Sequence, residues 1–294
     1  MRKSIFKTLE KLNLTSDKTR KLFSTRTRDI DNLKVWRDEI SGVIFIDEFY
    51  TTDNTYINGL YRDDEKLNSQ TGKEDFEEQN DAKRRFDTNL KFAAGKKVAD
   101  FGCGKGDFLR LIAPYCDSLI GIELQQSYVD KLNSDNIKCV NNLEILDDKS
   151  IEVCFAFHVL EHLPEPLETL SRLKNKIVKG GKILIEVPHA NEFLLTTASN
   201  KNFKQFTLWS QHLVLHTRES LYRFLESVGY KQITIMGVQR YPLSNHLNWL
   251  SHGKPGGHKS VLSLIDSKLL NDEYENSLAR INATDTLVAM ATVP

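Results

Sequence analysis

Three glycines, Gly102, Gly104 and Gly106, alternate with other residues directly after the apolar run Val98-Ala-Asp-Phe101 and directly before Asp107-Phe-Leu109. A glycine-rich turn between a buried strand and a helix lets a ligand lie against bare backbone, beside the first N–H groups of that helix. The dinucleotide fingerprint G-x-G-x-x-G needs its third glycine one place later, and that place holds Asp107. Asp100, two residues before the first glycine, can meet a cationic group. The next apolar run, Ser118-Leu-Ile-Gly-Ile-Glu-Leu124, carries Glu123 19 positions after Gly104. A carboxylate at the end of a second strand can accept both hydroxyls of a ribose. Histidine takes and gives protons nearest neutral pH, and all eight histidines lie from residue 158 onward. His158 and His162 have the i, i+4 spacing of a zinc-binding helix, but a proline follows at 164 and no metal is expected.

These residues need elements to hold them. Strand-like and helix-like segments alternate over 97–101, 106–115, 117–123, 125–134, 137–140, 151–157, 165–177 and 181–187. Such alternation predicts parallel βαβ units. A helix over 217–228 and a strand over 231–236 follow, and the last strand is expected at 284–291. The expected fold is α/β: a Rossmann-like, mostly parallel seven-stranded sheet with helices on both faces and an antiparallel last strand. Residues 1–94 read as an N-terminal cap region, with short strands at 33–37 and 42–46 and a helix over 74–94 whose apolar members include Phe76, Phe86 and Leu90. Residues 95–294 read as the ligand-binding domain, with a substrate-side insertion at about 237–283. Ligands in open α/β sheets sit beyond the carboxyl ends of the strands, where several of the histidines fall.

The glycine segment resembles the first motif of class I S-adenosylmethionine (SAM)-dependent methyltransferases, roughly (acidic)-x-G-x-G-x-G. Phe155-Ala-Phe-His-Val-Leu-Glu-His-Leu-Pro-Glu-Pro166 resembles a signature common in their small-molecule members, and Leu173–Pro188 resembles the segment that follows it. The resemblance covers about residues 97–236. It implies SAM as cofactor and S-adenosylhomocysteine as product, with Asp100 steering the methionine part and Gly102, Cys103, Gly104, Glu123, Leu124, Asn142 and His158 bordering the cofactor. Gly180-Gly181 would turn the chain into strand five. The (Asp/Asn)-Pro-Pro-(Tyr/Phe) tetrapeptide of nucleobase N-methyltransferases is absent. Phe206–Leu221 resembles a segment of nucleotide-sugar C-methyltransferases in which His212 takes the place of the base. Trp209 and Gln211 depart from that pattern, and the cysteine-rich zinc ribbon is missing; residues 33–46 resemble a metal-free remnant of it. O-methyl transfer is therefore favoured over C-methyl transfer. His212 is the first candidate base, with His189 and His162 next. His158, Trp209, Lys254 and His258 are expected on the acceptor.

Forty basic and 40 acidic residues leave no net charge, so a nucleic-acid acceptor is disfavoured. Residues 1–29 nonetheless carry nine Lys/Arg against three acids, and a basic surface helix there could associate weakly with anionic lipid. No apolar run has the length of a membrane span. Four cysteines without a C-x-x-C pair read as reduced thiols of a cytoplasmic protein. In the insertion, His252-Gly-Lys-Pro-Gly-Gly-His-Lys259 combines free backbone with donors suited to a phosphate or carboxylate, although an ordinary surface loop has the same composition. The expected acceptor is a hydroxyl of a sugar or sugar-like small molecule in polysaccharide or nucleotide-sugar metabolism. An RNA or tRNA methyltransferase and a catalytically inert SAM-fold assembly partner are the alternatives.

Overall fold

The computed structural model describes residues 4–47, 49 and 73–294, with side chains from 78 onward in the second of these spans. Phe76 therefore lies outside the described side chains. A short helix α1 (Ile5–Lys11) is capped by Ser4, whose hydroxyl accepts from the Lys7 N–H. It leads into the strands β1 (Arg20–Ser24), β2 (Val35–Asp38) and β3 (Ile44–Phe45). The long helix α2 (Lys73–Ala93) ends before Gly95, which takes the left-handed φ of +66° expected of a helix stop. The cofactor core follows as β4 (Lys97–Phe101), α3 (Asp107–Ile112), β5 (Ser118–Ile122), α4 (Gln126–Ser134), β6 (Cys139–Val140), β7 (Ile151–Phe157), α5 (Pro166–Lys176) and β8 (Ile177–Pro188). After these come α6 (Lys201–Thr207), β9 (Val214–Leu215), α7 (Arg218–Ser227), β10 (Lys231–Val238), α8 (Leu243–His252), α9 (Lys268–Arg280) and β11 (Thr286–Thr292).

Seven strands form one sheet in the order β10-β11-β8-β7-β4-β5-β6. β11 pairs antiparallel with both β8 and β10, while the β4, β5, β6, β7 and β8 pairings are parallel. The strands are apolar runs because helices cover both faces: Phe108 of α3 meets Phe155 and Phe157 of β7 edge-on, with ring centroids 5.1 Å apart in each case. The glycine pair 180–181 does not turn into β8 but lies inside it, at a register shift against β7. Gly180 adopts φ +79° and its N–H donates to Val293 O, while a Cβ on Gly181 would come within 2.8 Å of the Glu152 carbonyl oxygen. The pair permits a bulge.

The N-terminal strands do not form an isolated hairpin. They make a second, antiparallel sheet, β1-β2-β3-β9, whose last member is contributed from 214–215. Ile5, Leu9, Leu14, Val43 and Phe45 are buried in the same core cluster as Ile183, Val187 and Leu287 of the large sheet. The basic stretch 1–29 includes a strand as well as a helix, and its Arg20 guanidinium lies over the Phe6 and Trp36 rings at 4.2 and 4.8 Å. Between β10 and β11 the insertion is helical, built from α8, two 3-10 turns (257–259 and 261–265) and α9. Among the described residues no helix is long and apolar enough to cross a membrane.

Candidate active site

Strand β4 delivers Asp100, buried, to the edge of a large cavity. Burial first of all pushes its carboxyl up to about 7, the nearby Glu123 adds to the shift and Arg85 opposes it. The chain then turns through Gly102 (φ +76°), Gly104 (φ +56°) and Gly106 (φ +81°), all in the left-handed region. A Cβ on Gly102 would lie 2.3 Å from Val159 Cγ2. Glu123, at the end of β5, is fastened across the loop: Oε2 accepts the Gly104 N–H at 2.8 Å and Oε1 the Gln125 N–H at 2.9 Å. Cys103 also lines the cavity, its sulfur 3.8 Å from that of Cys139. This donor set fits SAM. A buried carboxyl with a raised pKa is relieved by an amino-acid cation, the loop offers bare backbone, and an acid stands at the second strand end. Three expected neighbours stand outside the cavity lining: Glu123 is buried behind the loop with its oxygens on backbone N–H groups, and two others are placed elsewhere. Leu124 is exposed, and Asn142 caps the 143–145 turn through an Oδ1 that accepts the Glu144 N–H at 2.9 Å; neither lines the cavity.

The cavity has a volume of about 1200 Å³ and gathers His158, His162, His189, Trp209, His212 and His258 beside the glycine loop. Their states differ. His158 sits on a φ of +53° and places Nδ1 3.0 Å from Glu161 and Nε2 3.2 Å from Glu186. Burial and Arg240, 3.2 Å from the same Nε2, depress its pKa, but the two carboxylates outweigh them and the net shift is upward. Both nitrogens face carboxylates, which favours the charged form of His158 over the opposing Arg240. His162 directs Nδ1 to the Gln211 carbonyl at 2.9 Å and meets the His212 ring at a centroid distance of 5.0 Å. Burial lowers the pKa of both, and it holds His212, whose Nδ1 is buried without a hydrogen-bond partner, well below its ordinary value. Glu161 is fully buried yet pulled down to about 2: burial opposes ionisation, but His158 more than offsets it. Glu161, His162 and His212 place donor atoms within 4.8 Å of one another. His189 donates Nδ1–H to Thr284 O at 2.9 Å, and burial lowers its pKa to about 4.

A family model for a methyltransferase domain matches residues 73–235, more than half of the chain. The chain belongs to that methyltransferase family. It is a class I, SAM-dependent methyltransferase with a Rossmann-like sheet. A ubiquinone biosynthesis O-methyltransferase of Coxiella burnetii is 24% identical to it over 177 residues, 52% of this chain and 71% of that protein. A tRNA U34 carboxymethyltransferase of Haemophilus influenzae is 23% identical over 186 residues, 59% of this chain and 56% of its own length. A solved SAM-dependent methyltransferase from Archaeoglobus fulgidus shares the fold at 20% identity, with a TM-score of 0.53 over 80% of this chain and 99% of its own.

The motifs do not single out several further residues of the methyltransferase: Asp81, Arg85, Glu192 and Arg240 line the cavity, and Glu186, within the 173–188 segment, lies outside its lining. Glu186, at the end of β8, is buried and receives Arg84 Nη2 at 2.9 Å and Arg85 Nη2 at 2.7 Å, both from α2. Arg240 pairs with Asp81 of the same helix. Glu192 lines the acceptor side; its Oε2 accepts the Leu195 N–H at 2.6 Å, Oε1 stands 3.5 Å from His246 Nε2, and burial raises its carboxyl to about 8. In the glycine-lysine loop the structure separates what composition joins. Pro255, His258 and Lys259 line the cavity, whereas Lys254 is exposed and outside the lining, its carbonyl accepting from Asn248.

Proposed function

We propose that the methyltransferase moves a methyl group to a hydroxyl of a sugar-like small molecule, with His212 as the base. The observation that carries this reading is the buried Glu161 carboxylate beside His162 and His212, two imidazoles that line the cavity beginning at the glycine loop. When bound, SAM supplies an electrophilic methyl on a sulfonium leaving group. The protein's task is then to orient an acceptor and remove its proton. A neutral His212 can accept the hydroxyl proton as the acceptor oxygen takes the methyl. Glu161, already ionised, stabilises the imidazolium so formed. His158, held by Glu161 and Glu186 and shifted toward its charged form, is less suited to act as the base. His189 lacks a carboxylate behind it and is the second candidate. Trp209, under the Arg28 guanidinium at 4.3 Å, and Trp249 offer ring faces to an acceptor.

O-transfer agrees with the activity in the name of the Coxiella relative. The Haemophilus relative's name favours a second reading, a tRNA acceptor; the balanced charge of this chain weighs against it. Incubation with SAM and either polyhydroxylated small molecules or bulk tRNA, followed by mass spectrometry, separates the two by which product gains a methyl. For the base, His212→Ala should lower kcat by about 10²–10⁴ with SAM affinity unchanged in calorimetry. A loss of only a few-fold would pass the role to His189.

A further inference from the structure

We propose that the insertion docks on an anionic lipid bilayer through residues 250–270, with the mouth of the active-site cavity beside the contact. Six aliphatic side chains stand outward there within 21 residues: Leu250, Val261, Leu264, Ile265, Leu269 and Leu270. Val261, Leu264 and Leu269 are 77%, 83% and 82% exposed, and unlike the lone Ile40 at 82% they stand among other outward aliphatic residues of one segment. Val261 and Leu264 are three apart in a 3-10 turn, so they share one side of it.

The chemistry of the patch selects its occupant. Protein interfaces concentrate aromatic residues, methionine and arginine and are poor in lysine. Here the exposed apolar side chains are all aliphatic and the interleaved cations are Lys254, Lys259 and Lys268, the last ion-paired with Asp272 at 2.5 Å. Asp266 is the one acid between residues 250 and 270; it accepts the Ser244 hydroxyl at 2.5 Å and keeps its charge, so Lys254 and Lys259 carry the basic excess of the patch. Aliphatic side chains with a lysine rim match the acyl boundary and headgroup charge of an anionic leaflet. The patch is also continuous with the cavity. Lys259 belongs to both, and Pro255 and His258 line the interior from the same loop. On the acceptor side the lining includes Leu195, Phe203, Phe206 and Trp249, an apolar wall suited to a molecule with a hydrocarbon portion. This surface is distinct from the basic N-terminal stretch, and its docking stands or falls independently of which acceptor is methylated.

Cosedimentation of the full chain with vesicles of phosphatidylcholine alone, or of equal parts phosphatidylcholine and phosphatidylglycerol, tests the proposal. Binding is expected to the anionic vesicles, to weaken with salt, and to fall at least ~10-fold in V261E/L264E/L269E. Calorimetric SAM binding by the variant, which touches no cavity residue, reports that it is folded. Should the triple variant fail to fold, L264E and L269E singly are expected to give the same direction of change. Absence of binding to the anionic vesicles, or equal binding by the folded variants, overturns the proposal. So does light scattering that finds a dimer split by these substitutions, since a second copy would then occupy the patch.

Discussion

On the proposal that Asp100 meets the amino-acid cation of SAM, its protonation ties cofactor binding to pH. Its carboxyl is raised from an ordinary 3.8 to about 7, with burial as the largest cause. A carboxyl raised by folding favours the folded state while it is protonated. That contribution is complete below about pH 4 and is lost as pH rises through about 7. A cationic ligand has the opposite preference and binds the carboxylate. SAM affinity should therefore increase between pH 5.5 and 7, by up to about tenfold per pH unit, and level off above pH 7. Calorimetry across that range should find the slope in the wild type and a flat, weaker profile in Asp100→Asn. A sloped profile in the variant would move the titration to another group. Glu161 carries the reverse sign: drawn down from 4.5 to about 2, it stabilises the fold above pH 4.5 and ceases to do so as pH falls toward 2. Under the proposal that His212 is the base, its depressed pKa predicts an acid limb of activity below the usual imidazole range.

Helix α2 meets the sheet through charge rather than through apolar side chains alone. Arg84 and Arg85 converge on a single carboxylate, Glu186, in a buried position at the end of β8, and Arg240 reaches Asp81 from beyond β10. Removing one charge from such a buried group leaves the others uncompensated. Glu186→Gln should cost about 3–5 kcal/mol in denaturant unfolding, with the largest rise in amide exchange along α2. A loss below about 1 kcal/mol, typical of exposed pairs, would mean that water already screens the network. These pairs also mark the boundary of what sequence reading reaches. Strands β4 and β7 are legible to the residue because buried parallel strands are unbroken apolar runs between turn residues. The glycine loop is legible because positive φ restricts residue choice. Strands β1 and β9 are not: β9 has two residues, and β1 is half-exposed with no alternation to read. Glu186 and Glu192 escape for a different reason, since only tertiary packing brings their partners 101 and 54 residues away. Lys254 and Lys259 share one composition, and the left-handed glycines at 253 and 256 decide which of them faces the cavity.

Across the whole molecule, the N-terminal strands and the cofactor core are parts of one structure. The β3–β9 ladder closes the small sheet directly after the His212 segment, and residues of α1 and β3 complete the core beneath the large sheet. Removing residues 1–47 should therefore abolish cooperative thermal unfolding rather than yield a stable, smaller methyltransferase. A shortened chain that melts sharply and still binds SAM in calorimetry would show the core to be self-sufficient. The same ladder has a consequence during synthesis. Phe45 pairs with Val214, which is made 169 residues later; at about 5–20 residues per second, roughly ten to thirty seconds separate them on the ribosome. Through that interval β1, β2 and β3 can pair only with one another, the free edge of β3 waits for β9, and their apolar faces lack core partners such as Ile183, Val187 and Leu287. The region made first is among the last to be secured, so slow translation or poor shielding of the nascent chain should harm it before the Rossmann-like half.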